Sequence, residues 1–174
     1  QELAKSGTES VPFAASIPSI AVLPFVNISR DGKSDFFADG LSENLLNVLA
    51  KIKGIKVASR RSTWSFRDLQ TDVRTIGQKL GVAHLLEGSV YIVGNRLRVT
   101  AQLIDVETEF NLWSEAYDRE MTDIFTVQDG IARAVVIELR RTLLDGSASS
   151  RRDDIVASEI AQATKGRSDN AAAY

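Results

Sequence analysis

Cysteine is absent from the 174-residue sequence, and His84 is its one histidine. These two absences exclude disulfide frameworks, thiolate nucleophiles and zinc sites built from cysteine and histidine. A serine hydrolase would have to use His84 alone, and the sequence has no G-x-S-x-G nucleophile motif. Oxygen-ligand sites for magnesium or calcium stay open, but neither a D-x-D-x-D-G loop nor a glycine-rich phosphate loop occurs. We therefore expect no metal and no cofactor.

An excess of positive charge and a long apolar run are also missing. The 21 Lys and Arg residues face 23 Asp and Glu residues, so the formal net charge is -2. Without a global positive field, the chain is not expected to bind nucleic acid. The apolar stretch IPSIAVLPFV is interrupted by Pro18 and Pro24 and is far shorter than the roughly 20 residues that cross a bilayer. We expect no membrane insertion by this segment itself, and we expect any targeting or membrane segment to lie outside it.

The remaining residues form patterns that predict strands and helices in alternation. An unbroken apolar run at 20–23 predicts a strand buried on both faces. The segments IKVAS and TDVRTIGQKLG predict a second strand and a second helix, the latter capped by Thr71. The first helix has its inward positions three or four residues apart, at Leu41, Leu45, Val48, Leu49 and Ile52. Strand, helix, strand, helix predicts parallel strands with helices laid on the sheet.

In the second half of the sequence, the spacing of apolar residues changes to a period of two. Gly94 and Asn95 predict a tight hairpin turn, because such turns need positive φ angles. This turn sets Val90 opposite Val99, and it sets Tyr91 opposite Arg98 as a candidate cation-π pair. The strand FNLWSEAYDRE continues the meander. A final helix over 122–144 has its inward positions at Ile124, Val127, Ile131, Val135, Leu139 and Leu143.

We predict one α/β domain with a mixed five-stranded sheet, the order β-α-β-α-β-β-β-α, and helices packed on the sheet. Residues 1–18 are interpreted as a linker, because they are small and polar and show no periodicity. The domain then covers 19–145. Residues 146–174 form a second linker and an alanine-rich tail.

The stretch SDFFADGLSENLLNVLAKI, residues 34–52, holds an unusual density of acids and hydroxyls. One hypothesis is a helix entry, in which Ser34 or Asp39 caps free N–H groups and acidic side chains favour the positive end of the helix dipole. The other is an oxygen-ligand cation site or an acid/base pair that includes Asp35 and Asp39. No partner histidine or second carboxylate cluster completes a mechanism, so the helix entry is favoured.

Two other features allow a functional and a structural interpretation. The hairpin register places His84 opposite Asp105. This pair is either half of a catalytic relay or a hydrogen-bonded pair at the end of the sheet. Trp113 and Tyr117 share one face of their strand. That face either binds a partner or is covered by a helix.

Several segments resemble, in order, the TolB-like amino-terminal domain of bacterial proteins. They are SIAVLPFVNIS, FFADGLSENLLNVLAKI, IKVASR, IGQKLGVAHLLEGSV, NRLRVTAQLID, LWSEAYDRE and DIFTVQDGIA, over roughly residues 19–144. Two positions depart from the family pattern. Glu109 stands where the family commonly has glycine, and His84 stands where it usually has an aromatic residue.

The resemblance implies a protein context for this chain. In similar proteins the domain lies between an output module, either a class III adenylate cyclase or a winged-helix regulator, and an array of tetratricopeptide repeats. The tail SDNAAAY then resembles the lead-in to such repeats. The chain lacks the two metal-binding aspartate motifs of a class III cyclase, so we do not expect an enzyme here. The expected location is periplasmic, tethered to the inner membrane through an upstream segment, with a cytoplasmic location as the alternative.

From this we expect a non-catalytic signalling or scaffold domain with protein partners, including adjacent domains of the same chain and a possible homo-oligomer. The alternative is a sensor of a small polar molecule or nucleotide at the carboxyl ends of the parallel strands. The candidate ligand-binding residues are Asn27, Ser29, Asp35, Asp39, Ser59 and Arg60. The candidate partner-binding residues are Tyr91, Arg98, Trp113 and Tyr117.

Overall fold

The computed structural model describes residues 17–29 and 31–145. The strands are β1 Ser19–Val22, β2 Val26–Asn27, β3 Lys56–Val57, β4 His84–Val93, β5 Arg96–Asp105 and β6 Asn111–Glu120. The helices are α1 Gly32–Ala50, α2 Arg60–Trp64, α3 Val73–Leu80 and α4 Ile124–Arg140, and a turn of π-helix follows at Arg141–Asp145. The predicted class, a mixed sheet with helices packed on it, is confirmed. Apart from Ile17 and Pro18, the predicted linkers at 1–18 and 146–174 lie outside the described residues.

The sheet has the order β3-β1-β4-β5-β6. β1 runs parallel to β3 and β4, and β4, β5 and β6 form the predicted antiparallel meander. The sequence did not indicate β2, which also pairs with β4, or the short helix α2.

The break between β1 and β2 changes the direction of the side chains that follow. Val22 pairs with Leu86 and Val26 pairs with Ser89, so four residue steps on one side lie opposite three on the other. Pro24 stands in this interruption, where it need not donate a ladder hydrogen bond. Because the extra residue shifts the alternation, Val26 and Val22 lie on opposite faces of the sheet, and Asn27 lies on the face that α1 covers.

We call the two sides of the sheet the helix face and the open face. The helix face packs under α1 and α4 and forms the main core. Its largest fully buried side chains include Ile20, Leu41, Leu45, Leu86, Leu103, Ile131 and Leu139. On the open face, Ala21, Ile76, Leu85 and Val106 pack together at the β1 end. Further along this face, Tyr91 of β4 and Arg98 of β5 are exposed among the described residues.

The helix periodicities are confirmed except at Ile124, and one predicted helix cap differs. Leu41, Leu45 and Leu49 are fully buried, and Val48 and Ile52 pack beside them. Ile124 was predicted to face inward but is 51% exposed, because α4 begins at that residue and its first buried position is Val127. The cap of α3 is Asp72 rather than Thr71, since the Asp72 side chain accepts the Thr75 N–H at 3.0 Å.

The predicted hairpin register is confirmed along its length, including the pair Val90 and Val99 and the pair Tyr91 and Arg98. The cation-π contact predicted for Tyr91 and Arg98 is wrong. Arg98 turns instead to Asp118 of β6 and donates from Nε at 2.7 Å and from Nη2 at 3.0 Å. A bidentate carboxylate suits the planar guanidinium better than a ring edge does.

Candidate functional site

The acidic stretch at 34–52 is a helix entry, as the favoured hypothesis stated, but its cap lies further upstream. Asp31 is the N-cap of α1, and its Oδ1 accepts the Ser34 N–H at 2.7 Å. The hydrogen bonds from Ser34 hold the pKa of Asp31 below its usual value. The capping roles predicted for Ser34 and Asp39 are therefore wrong, because α1 already starts at Gly32.

Asn27 joins the end of β2 to the first turns of α1. Its Nδ2 donates to Asp35 Oδ1 and to the Asp31 carbonyl, each at 2.8 Å. Its Oδ1 accepts the Ser29 N–H at 2.8 Å, and Ser29 Oγ accepts the Ile92 N–H at 2.7 Å. The structure thus brings together three of the predicted ligand-binding residues, Asn27, Ser29 and Asp35, and already engages each of them in hydrogen bonds.

Asp39 lies one turn of α1 further on and forms an ion pair with Arg67, whose Nη2 is 2.5 Å from Asp39 Oδ1. The Arg67 guanidinium also lies 5.9 Å from the ring centroid of Trp64, and Arg60 lies 5.0 Å from the same centroid. The ion pair joins the connection between α2 and α3 to α1, and the stack on Trp64 orients Arg67 for it.

The two remaining predicted ligand-binding residues do not join this group. Arg60 stacks on Trp64, and Ser59 caps α2 by accepting the Ser62 N–H at 3.4 Å. Neither residue lines the cavity described next.

A cavity of about 630 Å³ opens between the α2–α3 connection and the open face of the sheet. Asn27, Asp35 and Asp39 from the predicted set line it. Its floor is polar and is formed by Glu87 and Ser89 of β4 and by Thr100 and Gln102 of β5. Its wall is formed by residues 66–71, and its apolar lining by Leu23, Pro24, Phe25, Phe66, Leu69 and Ile76. This volume is in the range of small-molecule sites.

Glu87, which lies on the cavity floor, was not among the site residues predicted from the sequence. Burial raises the pKa of its carboxyl group. The hairpin register places it opposite Gln102, so its presence on the open face could have been predicted. That residues 66–71 cover Glu87 could not have been predicted, because no local sequence pattern indicates where the connection between α2 and α3 lies.

His84 and Asp105 are opposite each other, as predicted, but each has its own partner. His84 Nδ1 lies 3.1 Å from the Ser19 carbonyl oxygen. Asp105 Oδ1 accepts from the Thr108 N–H at 2.8 Å and from the Thr108 hydroxyl at 2.9 Å. These contacts fit the structural interpretation, a polar closure of the sheet end.

The predicted partner-binding residues lie on both faces of the sheet. Tyr91 and Arg98 are exposed on the open face. Trp113 and Tyr117 lie on the helix face, are partly buried, and pack against the main core. Burial, followed by the charges of Glu115 and Glu138, raises the pKa of Tyr117.

Solved structures define the class to which this fold belongs. TolB from Acinetobacter baumannii is similar with a TM-score of 0.50 at 19% identity, covering 75% of this chain and 29% of TolB. The lipoprotein GNA1162 from Neisseria meningitidis is similar with a TM-score of 0.52 at 19% identity, covering 72% of this chain and 98% of GNA1162. At such identities the likeness concerns the fold alone. The chain is thus an α/β domain with a TolB-like fold.

The family follows from the sequence comparison. A family model described as "HilA/YgeH-like transcriptional regulator, second domain" matches residues 15–134, and the chain belongs to this family. A second match is "Putative adenylate cyclase 3" from Rhizobium meliloti (strain 1021), 43% identical over 143 residues. That match covers 82% of this chain and 24% of the relative, so the chain spans about a quarter of the relative's length.

Proposed function

We propose that this chain is a non-catalytic signalling or scaffold domain that binds protein partners within a larger bacterial protein. The observation that carries the proposal is the kind of protein in which matching domains occur. The same domain type is the second domain of transcriptional regulators and also a quarter of a protein named as an adenylate cyclase. A domain found beside two unrelated outputs is better explained as a shared coupling module than as an enzyme of its own.

The β6 edge of the sheet is the surface we propose for a partner. Among the described strands β6 pairs with β5 alone, and the Ala116 N–H donates to the side chain of its neighbour Glu115 at 3.3 Å. The Ala116 N–H therefore faces the free edge, where an added strand could use it. Charged residues along β6, namely Glu115, Asp118, Arg119 and Glu120, would limit indiscriminate pairing.

We test the non-catalytic role by incubating the purified chain with nucleoside triphosphates and divalent metal. No turnover is expected. Turnover that is lost in Asp35→Ala or Asp39→Ala, while the variants stay folded, would overturn the proposal.

The interaction surface is tested with Ala116→Pro, which removes the outward N–H and leaves the hydrogen bonds to β5 in place. We expect the variant to lose partners that the wild-type chain captures from cell extract, as identified by mass spectrometry. Lys79→Ala, at an exposed position of α3, is the control and should keep them. If wild type and Ala116→Pro capture the same partners equally well, the β6 edge is not the interaction surface.

We further propose that residues 1–18 and 146–174 connect this domain to its neighbours, the latter leading to tetratricopeptide repeats. We also propose that the domain is periplasmic and tethered to the inner membrane, with a cytoplasmic location as the alternative. None of the helices in the described part of the chain combines the length and the hydropathy of a membrane span. Alkaline phosphatase fused after Tyr174 of the parent protein should be active only if the domain is periplasmic.

A second candidate function is the binding of a small molecule, and the cavity on the open face favours it. Its volume is sufficient for a small ligand, and its lining combines apolar walls with a few polar groups. This candidate function is tested by measuring the thermal shift of the chain with a panel of small cations, anions and neutral molecules. A ligand at a hundred times its dissociation constant adds about 2.7 kcal/mol to the free energy of unfolding.

A further inference from the structure

The charges that line the cavity are predominantly negative. Asp35, Asp39, Asp68 and Glu87 contribute carboxylates, and within the described part of the chain Arg67 is the one cationic side chain in the lining. Arg67 is already paired with Asp39. Among the described residues of the lining, a phosphate or carboxylate ligand would therefore meet three carboxylates that no cation pairs with, whereas a cation would be attracted.

Glu87 is the carboxylate best placed to receive that cation. It lies on β4, where it pairs with Gln102 of β5 on one side. On the other side it faces the interruption between β1 and β2, because the β1 pairs end at Leu86 and the β2 pairs begin at Ser89. In the described part of the chain, no hydrogen bond or ion pair reaches its side chain, unlike those of Asp35 and Asp39. Burial is the cause of its raised pKa. A partly buried carboxylate without a partner gains more from a cation than an exposed one does.

The rest of the lining indicates which cation fits. Leu23, Phe66, Leu69 and Ile76 supply an apolar wall beside Glu87, which a fully hydrated ion could not use. Among the described residues, no group of three or more His, Cys, Asp or Glu side chains is close enough to hold a metal ion. One carboxylate beside an apolar wall matches a single ammonium group on an aliphatic stem.

We propose that the cavity binds a primary ammonium group on a short aliphatic stem, with the Glu87 carboxylate as its counter-ion and Gln102 beside it. This inference rests on the second candidate function and specifies its ligand class. The source of the group is either a free amine or the lysine side chain of a partner protein.

The proposal is tested by NMR titration of the uniformly 15N-labelled 174-residue chain with n-butylammonium. We expect saturable shifts at the amides of Glu87, Ser89 and Gln102, with a dissociation constant of millimolar order because the ligand has few heavy atoms. The neutral isostere n-butanol and the anion butyrate should bind at least about tenfold more weakly, the difference expected for one charged hydrogen bond.

Two variants locate the site. Glu87→Gln keeps the shape and removes the charge, and it should weaken n-butylammonium binding by about tenfold or more. Gln102→Phe keeps the Glu87 charge but fills the space beside it, and this variant should abolish n-butylammonium binding. Glu115→Gln, which changes an exposed glutamate on β6, is the matched control and should bind as the wild type does.

The outcomes separate the proposal from the function on which it rests. Equal binding of n-butylammonium to wild type and Glu87→Gln, or n-butanol binding as well as n-butylammonium, would overturn the cation assignment and keep a small-molecule site. Failure of all three probes to shift any cavity amide would overturn the amine proposal, and a thermal-shift panel that is also flat would overturn the small-molecule function with it. If blocked lysine, acetylated and amidated, binds at least as well as n-butylammonium, the occupant is a partner's side chain. If only n-butylammonium binds, the occupant is a free amine.

Discussion

Gly88 lies in β4, where the antiparallel meander meets the parallel strands, and it leaves room there for a core side chain. A Cβ at this position would overlap the Thr100 carbonyl oxygen and the ring of Phe25. Phe25 is 3% exposed and belongs to the main core. The absence of a side chain at Gly88 is what allows Phe25 to pack over β4.

We predict that Gly88→Ala lowers the free energy of unfolding by about 1–3 kcal/mol, the usual cost of overpacking. Urea denaturation followed by circular dichroism measures the change. Gly32→Ala is the control, since a Cβ there meets no atom within 4 Å and the residue stands at the start of α1. Equal stabilities of Gly88→Ala and the wild type would show that Phe25 can move aside.

Glu87 gives the domain a pH dependence whose sign follows from its burial. Its pKa in the folded state is raised above the ordinary value of 4.5. Its contribution to stability is therefore fully present below that ordinary value and is lost as the pH rises through the raised pKa. The other charged groups that line the cavity are Asp35, Asp39, Arg67 and Asp68.

We predict that Glu87→Gln is more stable than the wild type at neutral pH and that the difference shrinks as the pH falls toward 4.5. Urea midpoints across this range measure it, with Glu115→Gln as the exposed control. A variant that is less stable than the wild type at neutral pH would show that the carboxylate has a favourable partner when folded.

At the scale of elements, Gln128 joins the two helices of the helix face. It is 6% exposed, and its Nε2 donates to the Phe37 carbonyl at 3.1 Å. The same amide lies where a Cβ of Gly40 would stand, so glycine within α1 makes room for it. Asn44 and Asp129 join the same helices at the surface, with a hydrogen bond of 2.7 Å.

We predict that Gln128→Ala costs about 1–3 kcal/mol, through the lost hydrogen bond and the space left beside Gly40. Asn44→Ala removes the exposed link between the same helices and should cost less than about 0.5 kcal/mol. Chemical denaturation of both variants gives the comparison. Similar costs would mean that burial adds nothing to the Gln128 contact.

The elements that could be predicted from the sequence are those with a strong local pattern. The meander register followed from one turn, Gly94-Asn95, and it placed Val90, Tyr91 and His84 correctly. The resemblance marked Glu109 as a glycine position, and its φ of 61° agrees. What failed depended on contacts distant in sequence. The partner of Arg98 is on β6, and the cavity forms only where 66–71 meets β4 and β5.

At the scale of the whole molecule, the main core joins distant parts of the described chain. It runs from Ile20 in β1 to Leu143 after α4, and it joins the first strand to the last helix. Removing α4 would expose Val127, Ile131, Val135 and Leu139 together with the α1 surface on which they pack. The domain should therefore be one cooperative unit that depends on both ends of 19–145.

We predict that a fragment of residues 17–145 unfolds in one transition, with a free energy of unfolding within about 1 kcal/mol of that of the full chain. A fragment of residues 17–123 should fail to fold, because the loss of α4 removes one wall of the main core. Urea denaturation monitored by Trp fluorescence and by circular dichroism measures both, and coincident curves establish the single transition. If 17–145 lost several kcal/mol while keeping its secondary structure, residues outside it would belong to the folded unit, and the boundaries at 19 and 145 would have to move outward.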